Sequence, residues 1–90
     1  MTVSLSKIHL TSDFEKAFHR LSQNLKELTK RKDLWFRANP FDPHLRTHKL
    51  KGELTGFWSY SINYEIRVLF RFLKSDEVIY YDIGTHEIYR

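Results

Sequence analysis

Between Trp58 and Phe72 the chain alternates large apolar residues with small or charged ones. Trp58, Tyr60, Ile62 and Tyr64 take every second place, separated by Ser59, Ser61 and Asn63. After Glu65, Ile66, Val68, Phe70 and Phe72 alternate with Arg67, Leu69 and Arg71. A period of two belongs to extended backbone, whose side chains point to opposite faces in turn. The stretch therefore predicts two neighbouring strands with one face apolar enough to need a cover. Burying that face fixes the register, because a slip of one residue would turn every aromatic toward water. The same register gathers Ser59, Ser61, Arg67 and Arg71 on the opposite, more open face.

The first half of the chain supplies the cover. Ser12-Asp13-Phe14-Glu15 has the form of a capping box, in which the serine and the glutamate three places on satisfy the free amides of a helix start. Phe14, Phe18, Leu21, Leu25 and Leu28 follow at steps of four, three, four and three, which places them on one helical face. The helical pattern runs to about Ala38, and Ser22 is suited to cap a second helix, so the two segments fold as a hairpin. Leu34, Trp35 and Phe36 close the second segment, and Asn39-Pro40 ends it, because proline disfavours helix just before itself. Lys26, Lys30, Arg31, Lys32 and Arg37 form a solvated face, with contact to a partner or an RNA backbone as the other reading. Both prolines fall between Asn39 and Lys49, an ordered loop.

Val3, Leu5, Ile8 and Leu10 predict a first strand, Leu73 to Glu77 a turn, and Val78 to Ile83 a last strand dense in β-branched and aromatic residues. The order is an N-terminal strand, a helical hairpin, then a three-stranded antiparallel meander: a two-layer α+β domain with its helices on one sheet face. Ninety residues suit one domain, residues 1–90, burying roughly 60–65% of the surface of its unfolded chain.

Composition removes several kinds of chemistry. The chain has no cysteine, which excludes disulfide frameworks, thiolate zinc sites and cysteine nucleophiles. A formal charge of +4 suits a polyanionic partner and also many plain globular surfaces. The polar N-terminal stretch lacks the apolar segment of a signal peptide, and Ile66 to Leu73, broken by two arginines, is far short of the ~20 residues of a membrane span. A cytoplasmic protein without membrane contact is expected.

Five histidines stand at His9, His19, His44, His48 and His86. His44 and His48 are four apart, a spacing that suits two metal ligands on a helix, but they follow Pro43 in a loop and no third ligand is evident; no metal and no cofactor are expected. Cleavage of RNA through its own 2'-hydroxyl needs few parts. One group takes the hydroxyl proton, cations stabilise the crowded phosphorane, and another group protonates the leaving 5'-oxygen. His48, Glu65, Arg67, Arg71, His86 and Tyr89 contain the groups for this, and histidine suits either proton transfer. Each also has a structural reading: His48 as an exposed loop residue, Glu65 as a turn charge, Arg67 as a strand residue paired to an acid.

Leu50 to Phe72, LKGELTGFWSYSINYEIRVLFRF, resembles the central signature of the RelE/ParE superfamily of type II toxin-antitoxin toxins. Gly-Phe-Trp-Ser followed by Glu and Arg before an apolar strand is similar to the YoeB branch. NPFDPHLRTHKLKG and the terminal DIGTHEIY are similar to YafQ-like and other RelE-type mRNA interferases. The resemblance covers the whole chain and its order of elements. It implies a RelE-like fold and a ribosome-dependent endoribonuclease that cuts mRNA in the decoding site of the 30S subunit, leaving a 2',3'-cyclic phosphate and a 5'-hydroxyl. A cognate antitoxin is the implied protein partner.

Carried over by position, the resemblance implies His48 as general base, with Glu65 as the other candidate or as the support of Arg67. It implies Arg67 as the contact to the scissile phosphate, His86 as general acid, and Tyr89 as the residue that orients substrate or stacks on a base. Lys49, Lys51, Ser59, Ser61 and Arg71 are the expected substrate-binding residues. Ser59 and Ser61 stand where the RelE branch itself carries lysines, which directs the chemistry toward histidine and carboxylate. The same fold also carries ParE-like gyrase inhibitors, and an inactive interaction domain is a further alternative.

Overall fold

In the computed structural model, which describes residues 4–89, the alternating stretch lies at the centre of a five-stranded sheet ordered β1-β5-β4-β3-β2. The strands are β1 (Lys7–Leu10), β2 (His48–Lys49), β3 (Trp58–Ser61), β4 (Arg67–Lys74) and β5 (Glu77–Gly84). Helices α1 (Ser12–His19) and α2 (Gln23–Ala38) lie between β1 and β2 in the chain. Strands β3, β4 and β5 form the expected antiparallel meander. Two strands extend it: β1 pairs in parallel with β5, and the two-residue β2 pairs with β3. Among the described residues no helix is long and apolar enough to cross a membrane.

The pleat separates the two sheet faces as the alternation requires. Tyr60, Val68, Phe70, Val78, Tyr80 and Ile83 are buried on one side with Phe14 of α1 and Phe36 of α2. Phe36 is the centre of this layer. It is fully buried, stacks on Tyr60 with ring centroids 4.3 Å apart and meets the edge of Phe70 at 4.8 Å, geometries that add to plain area burial. The phenols carry a polar thread through the apolar layer. Tyr80 donates to Asp33 Oδ1 at 2.7 Å, so the 2.9 Å contact between the two hydroxyls has Tyr60 as donor and Tyr80 as acceptor. Arg37 Nε closes the chain on Asp33 Oδ2 at 2.8 Å. Burial pushes both phenols well above their ordinary range, so they remain neutral donors.

Helix boundaries follow local chemistry. Ser22 caps α2 as expected, its hydroxyl accepting from Leu25 N at 3.2 Å. At α1 the cap is Thr11, one residue before the predicted Ser12, and Thr11 Oγ1 accepts from Phe14 N at 3.0 Å. Thr11 wins because it also anchors the end of β1, donating from its side chain to Tyr81 O at 2.8 Å and from its backbone to Tyr80 O at 3.1 Å. The predicted first strand is shorter than its apolar pattern. Leu5 lies before it, its amide donating to Arg37 O at 2.7 Å, and Val3 lies outside the described residues. Phe36 is buried, but Leu34 and Trp35 beside it are 66% and 43% exposed.

Strand β1 is clipped to β5 by His9 Nε2 and Glu77 Oε1, 2.6 Å apart. The hydrogen bond from His9 lowers the Glu77 pKa below the ordinary 4.5. A depressed carboxylate pKa contributes stability above the unfolded value that is lost as pH falls through the folded one. Thermal melting is therefore expected to weaken below about pH 4.5, with Glu77→Gln flattening that acid limb. Identical slopes in the two proteins would remove the clip as a source of the effect.

Candidate active site

The face of the sheet away from the helices is built from the odd-numbered residues of β3 and β4. Cα partners across the strands place Ser59 opposite Leu69, and Ser61 opposite Arg67, which in turn pairs with Gly84 of β5. Residues directly opposite share a face. His48 of β2 sits opposite Ser59 and so joins this side, while Lys49 sits opposite Trp58 and joins the other. The Lys49 ammonium lies 5.5 Å from the Trp58 ring centroid. Neighbours in sequence are thus split by the pleat: His48 faces the serines and arginines, and Lys49 packs over the aromatic layer.

His48 has a fixed tautomer. Its Nδ1 lies 2.8 Å from the carbonyl oxygen of Arg46, and a carbonyl only accepts, so Nδ1 carries the proton. In the neutral ring Nε2 is then the unprotonated nitrogen, exposed and ready to take a proton. Arg46 presents that carbonyl from a left-handed backbone conformation, φ 53°, at the end of the 3₁₀ turn Pro43–Leu45. Non-glycine residues rarely adopt it, and it costs on the order of 1–3 kcal/mol.

A second 3₁₀ turn, His86–Tyr89, follows β5 and folds back over this face. The Tyr89 hydroxyl donates to Ser59 Oγ at 2.7 Å, and Ser59 is buried beneath it, with Leu69 alongside. The face is therefore partly roofed. Gly84 makes the roof fit: a Cβ there would lie 2.9 Å from Ile88 Cγ2, closer than real side chains approach. Gly84→Ala is expected to cost about 1–3 kcal/mol through overpacking and to break the Tyr89–Ser59 contact. Faster amide exchange at Ile88, whose NH donates to Thr85 O at 3.0 Å, would report it; unchanged exchange and melting would show that Ile88 simply turns aside.

Arg67 lies in the row beside this roof. Its Nη2 makes one long bond, 3.4 Å to Tyr64 O, while its Nε is shut from solvent without a hydrogen-bond partner. A buried cationic donor without an acceptor is costly. His86 follows Gly84, the Cα partner of Arg67, by two residues and is exposed. His48, Ser59, Ser61, Arg67 and Tyr89 thus come to one side of the sheet.

The remaining expected residues lie apart. Glu65 is exposed in the β3–β4 turn, where its backbone NH donates to Asn63 Oδ1 at 2.8 Å, and among the described residues no ion pair joins it to Arg67. Arg71 stands further along β4, its guanidinium 5.3 Å from the Phe57 ring. Lys51 is exposed before the 3₁₀ turn Gly52–Leu54. Tyr64, whose alternation predicts a buried strand position, is 88% exposed. Strand β3 stops at Ser61 because Asn63 Oδ1 accepts from the amides of both Glu65 and Ile66, closing a turn. Sequence reasoning left Lys32, His44 and Arg46 out of the site. With Arg67 they line a hollow of about 260 Å³, and their separation in sequence gave no sign of that.

Among protein-family models and curated protein sequences, none matches the chain. Solved structures do. A YoeB/ParE toxin from Agrobacterium tumefaciens superimposes with a TM-score of 0.74 at 20% identity, over 89% of this chain and 98% of that one. YafQ from E. coli gives 0.71 at 16% identity, over 91% and 94%. The YoeB-YefM complex from Staphylococcus aureus gives 0.70 at 17%, over 93% and 99%. The fold is that of the RelE/ParE-superfamily toxins, as the resemblance of Leu50 to Phe72 implies.

Proposed function

We propose that the chain is the toxin of a type II toxin-antitoxin pair and cuts mRNA by metal-independent acid-base chemistry in the ribosomal decoding site. The observation that carries this reading is the placement on one sheet face of a tautomer-fixed imidazole and a guanidinium whose Nε lacks an acceptor, with a second, exposed imidazole two residues beyond Gly84 of the neighbouring strand. In the proposed step His48 Nε2 takes the 2'-hydroxyl proton while the 2'-oxygen attacks the adjacent phosphorus. Arg67 stabilises the phosphorane charge. The bond from phosphorus to the 5'-oxygen breaks as His86 delivers a proton to that oxygen, leaving a 2',3'-cyclic phosphate and a 5'-hydroxyl. Tyr89, held by Ser59, orients the strand, and Ser61, Arg71 and Lys51 add contacts around it, while Lys49 lies on the other face. Glu65 is the alternative base, reaching in from the turn once substrate is present.

The protein partner is an antitoxin, in line with solved neighbours titled as complexes: YoeB-YefM from S. aureus and DinJ-YafQ from E. coli. An acidic segment fits the basic surface. Incubating the protein with ribosomes translating a defined mRNA, and separately with gyrase and supercoiled DNA, tests the reading. Cuts in the ribosome-bound message with 2',3'-cyclic ends are expected. Gyrase inhibition without cuts would replace this function with that of a ParE-like toxin.

A further inference from the structure

Beside the proposed catalytic face lies the 260 Å³ hollow lined by Lys32 of α2, by His44 and Arg46 at the Pro43–Leu45 turn, by Ser61 to Tyr64 at the end of β3, and by Arg67. Four of its side chains are basic and none is a carboxylate. Clustering cations without an acid is unfavourable in the absence of a counter-charge, so the composition needs an explanation. Asp42, outside the lining, offsets His44 and in part Lys32, which hold its carboxyl below the ordinary range, and leaves Arg46 and Arg67 without a carboxylate partner among the described residues. It accepts from His44 Nδ1 and His44 N, each at 2.9 Å, and borders a neighbouring hollow with Trp35 and Asn39.

Arg67 provides the second observation, since among the described residues its Nε is enclosed without an acceptor and its guanidinium makes only the long bond to Tyr64 O. An anion in the hollow would give Arg67, whose side chain lines it, a counter-charge. The volume lies below the roughly 300 Å³ at which sites for drug-sized ligands begin, which suits a phosphate group better than a whole nucleotide. At the rim stands Tyr64, 88% exposed, with the Arg46 guanidinium 6.0 Å from its ring. An exposed aromatic beside a basic groove is the arrangement that holds single-stranded nucleic acid, base on ring and phosphate on cations.

We infer that this hollow is a phosphate subsite for single-stranded RNA, in which Lys32, His44 and Arg46 hold a backbone phosphate next to the one being cleaved while Tyr64 stacks on the attached base. Arg67 joins the two phosphates. The identity of the strand rests on the ribonuclease reading; the anion site does not.

Two measurements on the full chain separate them. Inorganic phosphate, titrated while the arginine Nε–H resonances are followed by NMR, is expected to shift Arg46 and Arg67 together, and Lys32→Ala with Arg46→Ala to weaken the Arg67 response at least tenfold. A short 2'-O-methyl RNA, which cannot be cut, is titrated at several salt concentrations. The same double variant is expected to reduce the slope of log affinity against log salt by about 1.4, two contacts at ~0.7 each for a single strand. Tyr64→Ala should weaken RNA binding with the slope and the phosphate response kept. Thermal melting of each variant excludes unfolding as the cause. A phosphate response without RNA binding upholds the anion site and overturns its assignment to single-stranded RNA. RNA cleavage with an unchanged slope and no phosphate response overturns the subsite and leaves the ribonuclease reading standing. Silence in both assays overturns the subsite, and cleavage of ribosome-bound mRNA alone decides the ribonuclease reading.

Discussion

Replacing His86 by alanine is expected to slow cleavage of ribosome-bound mRNA by about 10²–10⁴-fold, the usual contribution of a positioned general acid. Its stability should change by no more than about 0.5 kcal/mol, because the side chain is exposed and has no partner among the recorded side-chain hydrogen bonds of the described residues. The loss can be assigned to proton delivery with a substrate whose leaving 5'-oxygen is replaced by sulfur. A thiolate leaves without being protonated, so His86→Ala should cut that substrate at nearly the wild-type rate. Equal losses on both substrates would mean that His86 acts otherwise, by shaping the Thr85–Tyr89 turn or by binding. No loss on either would move the acid role to another group.

Phe36→Ala is expected to remove about 3–5 kcal/mol of stability, the range for truncating a buried phenylalanine. The ring is fully enclosed and touches Tyr60, Phe70 and Tyr80, with centroids 4.3, 4.8 and 5.9 Å away. Removing it leaves a cavity bounded by strands that the sheet holds in place, so collapse is limited. Domains of this size have ~5–15 kcal/mol in total, and the variant would melt more than about ten degrees lower. Phe36→Leu should recover most of the loss. Denaturant unfolding at constant m-value reads the change directly; a loss below about 1 kcal/mol would show that α2 can close over the gap.

How much of this was legible in the sequence depended on the range of the cause. The alternation from Trp58 to Phe72 is local, so it correctly divided aromatic side chains from serines and arginines before any partner strand was known. Ser22 was legible as a cap for the same reason. Thr11 was not, because its advantage over Ser12 comes from Tyr80 and Tyr81 at the other end of the chain. The parallel pairing of β1 on β5 is likewise a long-range choice. Tyr64 followed the strand period but lies outside it, because one side chain, Asn63, offers the backbone a turn instead of a ladder.

The candidate site shows the same division. His48, Arg67 and His86 were picked out by type and by resemblance, and the register brings the first two to one face with Gly84, two residues before His86. Lys49 was grouped with His48 by adjacency, yet the pleat sends it to the Trp58 side. The roof formed by Tyr89 on Ser59 was invisible to a local reading, which left that face open. Arg46 was missed altogether, although it both orients His48 through its carbonyl and borders the phosphate hollow with its side chain.

The pleat of β3 and β4 also has a genetic consequence. Even-numbered positions 58, 60, 68, 70 and 72 hold the aromatic and aliphatic layer, and odd-numbered positions 59, 61, 67 and 71 hold the polar one, Leu69 being the buried exception beneath the Tyr89 roof. On the proposed toxin function, selection for survival of cells expressing a random library would therefore recover two kinds of harmless protein from the same two strands. Even-position changes would leave little accumulated protein, and odd-position changes would leave abundant, folded, inert protein. Heredity along these strands would alternate with the parity of the residue number.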